Sequence, residues 1–277
     1  MRQRLAFMAR FLAVNGALLL LALLTAFPLL WMISASLMPS GEAMALPPRL
    51  LPSQPTLEHY TTLFTRLDLG RTLRNTLFLA TAITAVSLLC NSMAGYAFAK
   101  LRFRGRERLF ALLLATLVVP PQVTVLPLFL EIRALGLVNS FGGVLVAAIT
   151  TVFGIFLIRQ FAVGIPDELL DAARLDGASE LRIYWTIVLP LLRPILVTLG
   201  VFTFLTAWND FMWPLIVLTD ESKYTLPVAL ANLSGEHVLD TELMMAGAVV
   251  TVLPGLLLFL FLQKQYIEGI TMGSVKE

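Results

Sequence analysis

Between Arg10 and Glu42 the chain carries no charged residue, and the same holds from Arg74 to Lys100, Arg108 to Glu131, Arg133 to Arg159 and Glu242 to Lys264. A sixth stretch, Arg193 to Asp220, is interrupted only by Asp210. A helix that crosses about 30 Å of hydrocarbon needs about 20 apolar residues. All six stretches reach that length, which gives expected spans at about 11–34, 75–99, 109–130, 136–158, 194–218 and 243–263. Residues are 58% hydrophobic and 14% charged, against about 25% charged in soluble domains. The expected fold class is therefore an all-α integral membrane protein with six transmembrane helices.

Charge orients the spans. With the termini on one side, only Arg49, Arg66, Arg71, Arg74, Arg133 and Lys223 of the 20 basic residues fall on the opposite side. The excess, led by the cluster Lys100 to Arg108, puts both termini in the cytoplasm. Arg2, Arg4 and Arg10 before Phe11–Ile33 mimic a secretory signal, and Ser34-Ala35-Ser36 mimics a cleavage site. The apolar run outlasts the roughly 7–15 residues of a signal core, so an uncleaved first span is expected.

Several function classes are excluded. A net charge of +2 offers no footprint for nucleic acid. One cysteine, Cys90, and two histidines, His59 and His237, build neither a disulfide framework nor a structural zinc site. No Gly-Lys pair occurs, so the chain has no Walker A phosphate cradle. The proline-rich Pro39–Arg74 segment suits an extended external loop, and Thr219–Glu242 is shorter and acidic. Neither is large enough to be a binding domain, so capture of a solute outside the membrane is expected to need another protein.

Within the bilayer, a translocation path needs polar groups. Asn91 and Ser92 in the second span, Gln122 beside Pro120-Pro121 in the third, and Trp208, Asn209 and Asp210 in the fifth are the candidates. The paired prolines are expected to kink the third span. Interhelical hydrogen bonding is the alternative for Asn91, Ser92 and Gln122. For Asp210, between Trp208 and Trp213, the alternative is an interfacial ion pair or helix-end contact. An ion-coupled carrier using Asp210 is the rival transport reading, but such carriers usually hold more intramembrane ionisable groups. An intramembrane enzyme would need a nucleophile with its base, or a metal set, inside the bilayer. A membrane scaffold would leave one cytoplasmic segment without a purpose.

That segment lies between the fourth and fifth spans. Pro166 followed by Asp167 and Glu168 predicts a helix start, with Leu169, Ala172, Ala173 and Asp176 on one face. Gly177 can end the helix in a left-handed conformation. Ser179 or Asp176 can cap a second helix running to Pro190. The small alanines suit a partner's groove, with Asp171 and Arg174 available to pair at its rim; a solvated hairpin without partner is the other reading.

The run Asp171-Ala172-Ala173-x-x-Asp176-Gly177-Ala178-Ser179, with Ile187-x-Leu189-Pro190 and Pro194, resembles the EAA loop of ABC importer permeases. Asp171 stands where Glu is usual. Asn91 to Lys100 with Phe103-Arg104-Gly105, Ala207-Trp208-Asn209-Asp210-Phe211 with Trp213-Pro214, and Gly269 to Lys276 extend the likeness to the carbohydrate-uptake class, nearest the second permease subunits of maltose-type systems. The resemblance implies a type I ABC importer permease architecture in one domain, 1–277, with a coupling hairpin at 166–190 and a C-terminal tail at 264–277. It implies a second permease, two cytoplasmic ATPases that use ATP and Mg, an external solute-binding protein, and a bacterial or archaeal cytoplasmic membrane. This chain would hold no cofactor. Asp171, Ala172, Ala173, Asp176 and Gly177 would meet the ATPase, as would Gly273 and Lys276 of the tail, whose usual terminal glycine is replaced by Glu277. Leu226 to Asn232 matches the position that meets the binding protein. In this class the sugar is held mainly by the other permease. A polyol or glycerol-phosphate-type solute is the alternative cargo.

Overall fold

The computed structural model describes residues 2–47, 49–66, 68–236 and 240–271, and these contain helices, turns and loops but no strand. In helix α1 (Arg2–Ala35) the apolar stretch Arg10–Ala35 is exposed over most of its length and becomes buried at its end, at Ala35. A helix that is apolar on every face without covering itself fits hydrocarbon rather than water. Helices α3 (Leu69–Lys100) and α14 (Thr241–Thr271) also contain stretches long and apolar enough to cross a membrane. α2 (Glu58–Arg66) precedes α3.

The other three expected spans are divided, and local chemistry explains each division. α4 (Arg106–Ala115), extended by a 3-10 turn, and α5 (Pro121–Ala134) meet at 107°. Val119 and Pro120 are extended there, because a residue that precedes proline is driven out of the helical region. The expected kink is thus a full break. α6 (Phe141–Val146) and α7 (Val152–Val163) replace a continuous 136–158 helix. Each begins at its own capping hydroxyl, Ser140 accepting from Gly143 N and Thr151 from Gly154 N. In the fifth, α11 (Arg193–Trp208) stops at Asn209, and α12 (Met212–Val217) follows. α8 (Asp167–Leu175), α9 (Glu180–Ile183), a π-helical turn (Tyr184–Val188) and α10 (Leu189–Leu191) lie between α7 and α11, and α13 (Leu226–Glu236) precedes α14.

The chain divides into two compact units. One comprises residues up to Leu69 with Leu230–Pro254. There the loop after α1, expected to be extended, is anchored. Ala43 N donates to Glu242 (2.7 Å), Ser53 N to Glu42 (3.0 Å), and Ser36 bonds Tyr60 (2.8 Å). The buried His59 bonds the Met38 carbonyl (2.8 Å). Asp240 caps α14 by accepting from Leu243 N (2.9 Å). Ala35, Met38 and Ala43 form a small core against Trp31 and Met245.

The second unit comprises Gly70–Ala229 and the chain from Gly255. Its main core joins Tyr96 of α3, Ile158 and Ala162 of α7, Leu170 of α8, Ile183, Tyr184 and Val188 beyond it, and Ile195 and Leu199 of α11. At the α3 and α7 crossing, a Cβ added at Gly95 would lie 2.5 Å from Ile158 Cγ2 and 2.7 Å from Ile158 Cβ. Neither atom can swing aside, since both sit at the root of a β-branched side chain. Gly95→Ala is expected to cost about 1–3 kcal/mol by overpacking and to lower the unfolding temperature of the detergent-solubilised protein. Gly16→Ala, where nothing lies within 4 Å, should not lower it.

Candidate functional site

The hairpin that follows α7 is built by its ends. α8 begins after Pro166 with Asp167 and Glu168 in its first turn, where carboxylates suit the helix dipole. It ends in two paired backbone bonds, Gly177 N to Arg174 O and Ala178 N to Ala173 O, both 3.0 Å. That pattern needs a left-handed residue, and Gly177 supplies it at φ +77°. Ser179 then caps α9 by accepting from Arg182 N (3.3 Å).

Packing separates the two alanines. Leu170 is fully buried and Ala173 half-buried against the core, whereas Asp171, Ala172, Asp176 and Gly177 are exposed. Leu175, which the sequence reading passed over, is 90% exposed. An apolar side chain at the tip of a polar turn was legible as Leu-Asp-Gly, but only burial shows that it points outward.

Arg174 is not free at the rim, as expected from sequence; it braces the hairpin from within. Its Nε donates to Glu180 Oε1 (2.7 Å) and its Nη1 to Asp171 Oδ1 (2.7 Å). Glu180 Oε2 accepts from the Tyr96 hydroxyl of α3 (2.8 Å). A second tie runs from Lys100, at the end of α3, to Asp167 (2.7 Å) and the Ile165 carbonyl (2.6 Å). α3 therefore holds the hairpin at both ends. The Arg174 hydrogen bond, with a further pull from Tyr96, holds the Glu180 carboxyl below its usual 4.5 despite some burial. Lys100 does the same for Asp167, below 3.8. Glu180 and Asp171 in turn raise Arg174.

Energetically the anchors are unequal. Burying a leucine contributes about 1.5–3 kcal/mol, while a half-exposed ion pair contributes about 0–1 kcal/mol. Leu170 thus holds the hairpin down, and Arg174, Glu180 and Lys100 fix its direction.

The bilayer candidates separate into two groups. Asn91 and Ser92 are fully buried. Asn91 Oδ1 accepts from Thr151 N (3.0 Å), and its Nδ2 donates to Ser87 (3.0 Å) and Thr151 Oγ1 (3.3 Å). Ser92 bonds the hydroxyl of Tyr184 (2.7 Å). Trp208 is buried and stacked on Phe204 (5.9 Å). Asn209, exposed, donates to the Leu205 carbonyl (2.8 Å), and Gln122 is exposed in the first turn of α5. Of the six, Asp210 lines a cavity of about 220 Å3, with Thr151, Phe153, Phe202, Thr203 and Thr206. Asn91 reaches that cavity only through Thr151, which it holds in place. The threonines were unreadable from sequence, because hydroxyls are common in membrane helices and only the α6–α7 break turns Thr151 toward Asp210. Leu226–Asn232 lies in α13, whose first amide donates to Thr76 (2.8 Å). Gly273, Lys276 and the rest of the tail beyond Thr271 lie outside the described residues, as does His237.

Residues 89–270 match the family described as binding-protein-dependent transport system inner membrane component. Over 259 residues the chain is 40% identical to the arabinooligosaccharides transport system permease protein AraQ of Halalkalibacterium halodurans, covering 92% of this chain and 93% of that one. It is 31% identical to the lactose transport system permease protein LacG of Rhizobium radiobacter, covering 94% of each. A crystal structure of a bacterial ABC transporter involved in the import of the acidic polysaccharide alginate superimposes with a TM-score of 0.81 at 26% identity, covering 92% of this chain and 96% of that one.

Two outcomes are expected of the hairpin. Tyr96→Phe removes a hydrogen bond to a charged group, worth about 1.5–3 kcal/mol, so amide exchange across Glu180–Ile183 should rise about tenfold or more; unchanged exchange would show that the hydroxyl does not hold it. Lowered carboxylate pKa values stabilise the fold above their ordinary values and lose that contribution as pH falls through the folded ones. Hairpin protection should therefore be constant from pH 7 to the ordinary values of 4.5 and 3.8 and fall only beneath them.

Proposed function

The chain belongs to the binding-protein-dependent transport system inner membrane components, and from that premise we propose how its geometry serves transport. It is a permease subunit of a binding-protein-dependent ABC importer of a sugar or oligosaccharide, a transporter subunit rather than an enzyme. In the proposed assembly it crosses the inner membrane of a bacterium or archaeon six times with both termini in the cytoplasm. It pairs with a second permease, two ATPases that consume ATP with Mg, and an external solute-binding protein. Oligosaccharide cargo is favoured by the names of the relatives, which include arabinooligosaccharides and lactose.

The observation that carries the coupling role is the exposed tip on a braced base. Asp171, Ala172, Leu175, Asp176 and Gly177 present a low, partly apolar knob, suited to the groove of an ATPase. Gly273 and Lys276 are proposed as further ATPase contacts. When the ATPases close on ATP, the knob moves with them. Arg174 keeps α8 and α9 from sliding past each other, so displacement passes as a rigid-body shift to α3 through Tyr96 and Lys100 and to α11 by continuity. The Asp210 cavity lies between α11 and the α6–α7 break. Its hydroxyls and carboxylate suit sugar hydroxyls, and Phe153 and Phe202 suit the apolar face of a sugar ring. Asn209 and Asp210 are proposed to line the path, with Asn91 and Ser92 positioning the helices around it.

Reconstitution of the complex tests this. Liganded binding protein should stimulate ATP hydrolysis, and the ligand that does so names the solute. No Cβ neighbour lies within 4 Å of Gly177, so Gly177→Ala and Gly177→Trp both bear the left-handed strain of about 1–2 kcal/mol, but only the indole fills the docking surface. The expected result is ATP-driven uptake retained in large part by Gly177→Ala and lost by about tenfold or more in Gly177→Trp, with the subunits still assembled. Wild-type uptake by the tryptophan variant would overturn the coupling role.

A further inference from the structure

The cytoplasmic loop between α3 and α4 carries five bases and one acid, Glu107, from Lys100 to Arg108. That acid, itself exposed, is engaged within the protein. Glu107 pairs with Arg106 (2.9 Å) and with Arg159 of α7 (3.2 Å). Arg159 itself lies 4.1 Å above the ring of Phe110 and donates to the Phe98 carbonyl (3.3 Å). Lys100 is nearly buried and committed to Asp167. Arg102 adds a through-space pull on Asp167. Arg104 and Arg108 are exposed and have no carboxylate partner among the described residues.

The loop that carries these two arginines is held in place. The tilted rings of Phe103 and Phe98 lie 5.9 Å apart, and those of Phe98 and Phe110 5.4 Å apart, which pins the loop. Gly105 turns it at φ +82°, and residues 102–108 line an open concavity of about 790 Å3. On α4 itself, Arg108 and Leu112 stand one turn apart on the same face, and Leu112 is 67% exposed, with Leu109 beside it 51% exposed. A cation directly above bare apolar side chains matches a phosphate above its acyl chains.

We propose that Arg104 and Arg108 form a binding site for the phosphate headgroup of an anionic phospholipid, with its chains against Leu109 and Leu112. Guanidinium groups suit phosphate through paired hydrogen bonds, and bases at the cytoplasmic face gain from anionic lipid. The site rests on the proposed placement of α4 in the bilayer with its N-terminal end cytoplasmic.

The test uses the assembled transporter in nanodiscs of phosphatidylcholine with phosphatidylglycerol, with retained lipid counted by native mass spectrometry. Wild type should retain phosphatidylglycerol over phosphatidylcholine. Each of Arg104→Gln and Arg108→Gln should lower that preference by about fivefold, while the Arg104→Lys/Arg108→Lys double variant should keep most of it and show that the loop still folds. Equal retention in the glutamine variants would overturn the site. So would release of the lipid by excess inorganic phosphate, which would identify a general anion site. Loss of the ATPase subunits from the glutamine variants with lipid unchanged would assign the patch to a protein partner and overturn the lipid. A separate arm reads the placement. In a Cys90→Ala background, Leu112→Cys should resist a membrane-impermeant maleimide in vesicles; labelling would refute both the bilayer position of α4 and the site built on it, whereas protection with equal lipid retention would refute the site alone.

Discussion

Arg174 is satisfied by two carboxylates of its own hairpin, and the packing of α8, α9 and the end of α3 is organised around that arrangement. If the guanidinium faced outward, Glu180 would lie against the Tyr96 hydroxyl with no cation to hold its proton off, and α8 and α9 would be joined only by the turn at Gly177. With the guanidinium inside, one planar group orients Asp171 on α8 and Glu180 on α9, and Glu180 passes the constraint to α3. The ion pairs are half-exposed and weak individually. Their effect lies in direction: Leu170 supplies the burial that keeps the hairpin down, and the charges decide which way the tip points.

The same division between burial and direction recurs at the helix breaks. A backbone break within a bilayer leaves amides and carbonyls that hydrocarbon cannot satisfy. Around the α6–α7 break, several of these groups are met from within the protein. Asn91 accepts from Thr151 N, Thr151 accepts from Gly154 N, and Ser140 accepts from Gly143 N. Trp213 Nε1 donates to the Gly143 carbonyl (3.2 Å). Breaks satisfied in this way become places where polar side chains can face an opening without exposing bare backbone. The cavity at Asp210 sits at such a place, with Thr151 in its wall.

The loop after α3 shows the complementary use of charge. Bases that the sequence pattern assigns to one side of the membrane are partly engaged in fastening neighbouring elements together, through Glu107, Arg159 and Lys100. The remainder are left facing outward. One sequence cluster therefore does two physical jobs, and composition counts them as one.

Sequence alone determined the solvent of this protein and the outline of its hairpin. Uncharged runs past 20 residues leave few alternatives to hydrocarbon, and Pro166, Gly177 and Ser179 are local signals whose meaning does not depend on distant residues. Tertiary structure decided the rest. Helices that are apolar on every side carry no periodicity from which to read a facing, so nothing in the sequence distinguished Ala172, exposed, from Ala173, packed, or gathered Asp210 with Thr151, Thr203 and Thr206. Arg174 could pair with a partner or with its own hairpin, and both options cost the same in sequence; only the approach of α3, set by Gly95 against Ile158, brings Tyr96 to Glu180 and settles it.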